Sequence, residues 1–367
     1  MRKMNLAVGV TFLPFLLPLG ATAATFDRIY VFGDSLSDSG NVFNVTKAGN
    51  ALDPTIPIDP PSPPYFNGRY SNGPNWVDYL ASSMGVNPVP STVLAVGSPI
   101  IISPTGEVGI NFSFNGATTN QSVNFAFGGA TSGFTNASDP RLPGVLREVQ
   151  AFTNDLSVAN RSADSEALYI VWAAGSNDYA AGNLSGNVFA ENVSGGITSL
   201  FNAGARNILV LNVPDLGKTP RGLSLGSNEA NLRTQVSQEF NASLAAALSN
   251  LSQTLPGINL ITFDSAALFQ DAIANPAKYG FTNVTESCIN PVNLTICANP
   301  NNYLFWDNLH PTTTAHAILG ELVFTKLTSE SKTVPEPTSS VSIGILGLAW
   351  LMQFISRRSR LMANANG

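Results

Sequence analysis

A serine hydroxyl becomes a nucleophile when a neighbouring base takes its proton, and the usual base at neutral pH is histidine. This chain of 367 residues contains two histidines, His310 and His316. His310 stands in Phe305-Trp306-Asp307-Asn308-Leu309-His310-Pro311, three residues after Asp307. That spacing is about one helical turn, so a single turn is expected to present both side chains. Asp307 would then orient the imidazole and stabilise the imidazolium. Pro311 suits the first position of a helix, which would fix His310 at a helix mouth. The candidate nucleophile is Ser35, in Phe32-Gly33-Asp34-Ser35-Leu36-Ser37. Alone, Gly-Asp-Ser reads more readily as a turn. Ser35 gains its standing from a strand end, a nearly histidine-free chain and an Asp-x-x-His before the last helix. His316 falls inside that apolar-spaced helix and reads as structural.

These residues need a scaffold. Residues 28–33 form a β-branched and aromatic run ending in Gly33, which reads as a buried strand with Ser35 at its carboxyl edge. A loop rich in Gly, Asn and Ser is expected after it, and the Pro-rich residues 53–64 continue as loop. Helices are predicted over 75–84, 142–156, 187–203, 228–255 and 312–327, and strands over 167–173, 207–213 and 258–263. In the long helix Leu232, Val236, Phe240, Leu244, Leu248, Leu251 and Leu255 recur every three or four residues, which defines one apolar face. Residues 86–122 read as irregular with scope for short strands. Strands without alternation, separated by helices, imply an α/β fold with a mainly parallel sheet covered on both faces. Active sites of such sheets lie at the carboxyl ends of the strands.

Four blocks occur in order. They are Val31-Phe32-Gly33-Asp34-Ser35-Leu36-Ser37-Asp38-Ser39-Gly40-Asn41, Val123-Asn124-Phe125-Ala126-Phe127-Gly128-Gly129-Ala130, Ala174-Gly175-Ser176-Asn177-Asp178, and Asp307 to His310 with Pro311 and Thr312. Together they resemble the GDSL, or SGNH, hydrolase family, in its branch of plant-type GDSL lipases and bacterial secreted lipases. The resemblance spans residues 26–328. It implies a three-layer, flavodoxin-like α/β/α fold and a serine esterase or lipase working through Ser35, Asp307 and His310, without metal or cofactor. It also implies an oxyanion hole of Gly129, the Asn177 side chain and the Ser35 backbone N–H. Of the two adjacent glycines Gly129 is preferred over Gly128, and Asp178 reads as structural. Phe127 stands where plant relatives commonly carry serine, which bears on the shape of the acyl pocket. No serine sits in Gly-x-Ser-x-Gly, so an α/β-hydrolase elbow is not supported.

Charged residues make up 11% of the chain and the net charge is −6, against about 25% charged residues in typical domains. No basic patch lies in the body, which disfavours a nucleic-acid partner. Met1-Arg2-Lys3, an apolar stretch and Ala21-Thr22-Ala23 read as a secretory signal over residues 1–24. Val334-Pro335-Glu336-Pro337, an apolar helix over 341–355 and Arg357-Arg358-Ser359-Arg360 resemble the PEP-CTERM sorting signal of Gram-negative, exopolysaccharide-making bacteria. That resemblance implies an exosortase-type processing partner, a transient membrane helix in a tail over 331–367, and a destination in the periplasm, outer surface or extracellular matrix. The hydrolase domain then covers 25–330. In an exported chain Cys288 and Cys297 are expected to form a disulfide; a metal pair is the weaker reading, because zinc sites want four ligands. Acyl transfer, exopolysaccharide O-deacetylation and matrix binding without catalysis are the rival functions.

Overall fold

The apolar runs pair side by side as parallel strands. The computed structural model describes residues 26–102, 108–290 and 293–330; the signal segment and the sorting tail expected above lie outside them. The strands are β1 (Ile29–Gly33), β2 (Val89–Pro90), β3 (Ile100–Ile102), β4 (Val108–Ile110), β5 (Val123–Asn124), β6 (Leu168–Trp172), β7 (Asn207–Leu211), β8 (Asn259–Phe263), β9 (Asn283–Ser287) and β10 (Tyr303–Phe305). The main sheet has the order β2-β5-β1-β6-β7-β8, and all its pairings are parallel. β3 and β4 form an antiparallel pair, and β9 and β10 a separate parallel pair.

The helices are α1 (Asn41–Leu52), α2 (Trp76–Met84), α3 (Val145–Val158), α4 (Ser176–Ala180), α5 (Gly186–Ala203), α6 (Pro220–Ser224), α7 (Ser227–Thr254), α8 (Ser265–Ala274) and α9 (Thr313–Glu330). Successive strand residues point to opposite faces, and the core divides accordingly. Tyr30, Phe32, Tyr169, Val171, Ile208 and Val210 pack with Phe152 of α3, Ile197 of α5 and Phe240 of α7. Ile29, Val31, Leu168, Ile170, Leu209 and Leu211 pack with Leu80 of α2 and Val323 of α9. The result is a three-layer α/β/α fold. Among the described residues no helix is long and apolar enough to cross a membrane.

Four local expectations are corrected. The segment after Ser35 is not all loop, because Asn41–Leu52 is helical and buries Val42, Val45 and Gly49 at helical spacing. Both Asp38 carboxylate oxygens accept N–H groups at its start, from Gly40, Asn41 and Val42; this cap outweighs the weak helix propensity of its Asn and Gly residues. In α7, Leu232 is 41% exposed while Arg233 is buried. Arg233 pairs with Glu229 at 3.0 Å and lies over the Tyr179 ring, so an ion pair rather than leucine closes that end. Asp307 and His310 are not on a helical turn. Finally, Pro311 does not open the last helix: it bridges to Phe305, and α9 starts at Thr313.

Candidate active site

Sheet order decides what meets at the carboxyl edge. β1 lies between β5 and β6, so the chain reverses its direction of travel across the sheet there. Ligands bind in the crevice at such a switch point. Ser35 follows β1, the Phe125–Ala130 stretch follows β5, and Asn177 follows β6.

Ser35 is 7% exposed. Its Oγ lies 2.8 Å from His310 Nε2, and His310 Nδ1 lies 2.7 Å from Asp307 Oδ2. The Asp307 turn is built by the side chain itself: Oδ1 accepts the N–H of Leu309 at 2.8 Å and of His310 at 2.7 Å. An Asx-type turn therefore does what a helical turn was expected to do. Trp306 N–H donates to the His310 carbonyl at 2.8 Å and closes the loop. Tyr65 donates its hydroxyl to Asp307 Oδ2 at 2.7 Å, and the Tyr70 ring lies 5.1 Å from the imidazole.

Burial opposes charge on His310, but the Asp307 carboxylate beside it, helped by the charges of Asp34 and Asp59, outweighs burial and holds its pKa above the ordinary value. Burial likewise pushes Asp307 up, while the His310 charge and the N–H bonds pull it below the ordinary range. Burial and the Asp307 charge raise the Tyr65 pKa, so its hydroxyl stays a donor.

The two glycines differ. Gly128 N–H is committed to Asp38 Oδ2 at 2.9 Å. Gly129 N–H and Ser35 N–H have no acceptor among the described residues. Gly129 has φ +82°, and a Cβ there would lie 2.4 Å from Asn136 Oδ1 and 2.6 Å from Ser138 Oγ; this turn tolerates glycine. Asn177 Nδ2 donates to the Ala130 carbonyl at 3.0 Å, which spends one of its two N–H bonds.

Several residues that hold this frame were missed. Glu148 of α3 is fully buried and accepts Gly33 N–H at 2.8 Å and Phe127 N–H at 3.1 Å. It thereby ties β1, which leads to Ser35, to the glycine loop. Asp34 accepts N–H groups from Leu36 at 3.0 Å and Ala174 at 2.8 Å, joining the Ser35 turn to the end of β6. Burial pushes Asp34 and Asp38 up to about 6. The signal for Glu148 was present: a charged residue at the buried phase of Val145, Val149 and Phe152. Tyr65 carried none, because it directly follows the Pro-rich stretch read as loop. Asp178, read as structural, accepts Ser132 N–H at 2.9 Å and its hydroxyl at 2.6 Å.

Cys288 and Cys297 are joined in a disulfide. Cys288 and Ile289 pack with Trp306, next to Asp307, and their N–H groups bond the carbonyls of Phe305 and Trp306. The bridge thus braces β10 and the residues that lead from it to Asp307. Among the described residues no group of three or more His, Cys, Asp or Glu is arranged to hold a metal ion.

Beside Ser35 a cavity of about 870 Å³, counting its mouth, runs between α8, β10 and α9. Leu268, Phe269, Phe281, Leu304, Ile318 and Leu319 line much of it. Phe127 does not line this cavity; it is buried with Val42, Val45 and Leu142.

A serine, an imidazole and unpaired N–H donors beside an apolar cavity define a site suited to acyl transfer. The GDSL-like Lipase/Acylhydrolase family model matches residues 29–323, so the chain belongs to that family and is an ester hydrolase. GDSL esterase/lipase 7 of Arabidopsis thaliana is 29% identical over 328 residues, covering 81% of this chain and 87% of that one. Another Arabidopsis thaliana GDSL esterase/lipase is 28% identical over 347 residues, covering 85% of each chain. The solved structure of Est24, a carbohydrate acetylesterase from Sinorhizobium meliloti, aligns with a TM-score of 0.40 and 14% identity, over 82% of this chain and 98% of that one.

Proposed function

We propose that this is an exported serine esterase whose triad is Ser35, His310 and Asp307. The observation that carries the reading is the unbroken hydrogen-bond chain from Ser35 Oγ through His310 to Asp307 Oδ2, at 2.8 and 2.7 Å. His310 Nε2 takes the Ser35 proton as Oγ bonds to the ester carbonyl carbon, and the carbonyl electron pair moves onto oxygen. The N–H groups of Ser35 and Gly129 and the second Nδ2–H of Asn177 receive that oxyanion. The intermediate collapses by expelling the alcohol, which takes the proton from His310. Water then repeats the sequence on the acyl-enzyme and releases the acid. The apolar cavity receives the acyl chain, so carboxylic esters of short to medium chain are the substrate class.

Export rests on the basic head, apolar middle and Ala21-Thr22-Ala23 exit, with the disulfide in keeping. The domain plan is a signal over 1–24, a hydrolase body over 25–330 and a sorting tail over 331–367 that an exosortase-type enzyme processes.

The test is a panel on the mature body: p-nitrophenyl esters of increasing chain length, an acetylated polysaccharide, and added alcohol as acyl acceptor. Medium-chain esters are expected to be hydrolysed, and Ser35→Ala to abolish turnover with unchanged circular dichroism. Full activity in that variant contradicts the nucleophile. Turnover confined to the polysaccharide favours a deacetylase, alcohol-dependent ester formation favours acyl transfer, and binding without turnover favours a matrix protein.

A further inference from the structure

His316 is the second histidine, and the proposed ester chemistry gives it no task. It lies near the start of α9, is 2% exposed, and lines the cavity beside Ser35. Its ring nitrogens have no hydrogen-bond partner among the described residues; the bond it does make is from its backbone N–H to the Thr312 carbonyl at 3.0 Å. Burial first, and the nearby His310 charge second, hold its pKa down to about 3, so the ring is neutral at working pH. A neutral imidazole offers one donor and one acceptor. Three of the other hydroxyls lining the cavity already donate within the protein. Thr219 donates to the Leu216 carbonyl at 2.8 Å, Ser265 to the Asn212 carbonyl, and Tyr279 to Asp271 at 2.5 Å. A buried polar group left unpaired is costly, and most such groups in folded proteins are satisfied.

We propose that His316 is a specificity-determining residue: it takes a hydroxyl on the acyl chain, so the preferred substrates are esters of hydroxylated medium-chain acids. A hydroxyl both donates and accepts, so it satisfies one imidazole nitrogen in either tautomer. A plain alkyl chain satisfies neither nitrogen and leaves the imidazole unpaired in an apolar wall. Pockets that hydrogen-bond a substrate hydroxyl discriminate against the analogue lacking it for this reason. The inference rests on the reading that this cavity holds the acyl half of an ester cleaved at Ser35.

The experiment compares octanoic acid with its hydroxy isomers, the hydroxyl placed at successive carbons, in two assays. One is kcat/KM for the p-nitrophenyl esters in the wild type. The other is binding of the free acids to the Ser35→Ala protein by calorimetry, which needs no turnover. At least one isomer is expected to exceed octanoate by about tenfold to hundredfold in both, from the penalty on an unpaired buried group. His316→Leu is expected to erase that advantage and His316→Gln to restore part of it. The proposal is overturned if no isomer gains in the binding assay, or if the gain survives in His316→Leu. Failure of the Ser35 reading shows differently, as a hydroxyl preference in binding with no Ser35-dependent hydrolysis.

Discussion

Replacing His310 by alanine lowers kcat/KM for a medium-chain p-nitrophenyl ester by about 10⁴- to 10⁶-fold, the range seen when a triad base is removed. The chain offers no substitute in place: Ser35 Oγ is bonded to His310, and His316 is neutral and held near pKa 3. The variant should fold, because the imidazole contributes bonds to Ser35 and Asp307 rather than to the core. The same residue is expected to set the pH dependence of the wild type. As the proposed base His310 acts when neutral, and Asp307 raises its pKa despite burial. The neutral fraction therefore grows as pH rises through a value above the ordinary imidazole pKa of about 6.5. A pH profile of kcat/KM should show an acid limb with its midpoint there, and residual His310→Ala activity should lack that limb. A wild-type limb centred in the carboxylate range would point to a different base.

The second large effect is at Asn177. Asn177→Ala is expected to lower kcat on the order of 10²–10³-fold with a smaller change in KM, since an oxyanion donor strengthens its bond as charge develops. Asn177→Asp should be worse than alanine despite its near-identical shape. A carboxylate has no donor and places negative charge beside the oxyanion. Equal kcat in wild type and Asn177→Ala would remove Asn177 from the oxyanion hole and leave it holding the Ala130 carbonyl. Steady-state kinetics on one ester series separates these outcomes.

Much of this site was legible because its parts lie beside strong local signals. The runs at β1, β6 and β7 are buried throughout or nearly so, and an unbroken apolar run announces such a strand without any tertiary knowledge. Ser35 and Asn177 come shortly after two of those runs. Scarcity did the rest, since two histidines leave few choices of base. The geometry joining Asp307 to His310 was not legible. A three-residue spacing fits a helical turn as well as an Asx turn, and the difference lies in which N–H groups Asp307 Oδ1 accepts. The Tyr65–Asp307 bond spans 242 positions in sequence, so no local pattern carries it. Asp38 hid for another reason: its carboxylate caps α1 and also holds Gly128, a pairing that exists once β5 lies against β1. Glu148 shows the converse, a charge at a buried helical position that sequence alone could have flagged as a brace.

Three acidic residues thus support the backbone around the proposed nucleophile: Asp34, Asp38 and Glu148 each accept backbone N–H groups at the sheet edge. In a chain with 24 acidic residues, burying these three at one edge is a considerable desolvation cost. What it secures is the backbone on either side of Ser35 and Gly129, and so the alignment of the donors that would face the oxyanion.

In the proposed mechanism Ser35 Oγ is the atom that carries the acyl group. A fluorophosphonate that phosphonylates activated serines tests it directly, with intact-mass measurement followed by peptide mapping. One adduct per chain is expected, on the peptide containing Ser35, formed at a rate that follows the His310 acid limb and lost in Ser35→Ala. An adduct on another serine, or esterase activity that persists in a fully labelled protein, would contradict it.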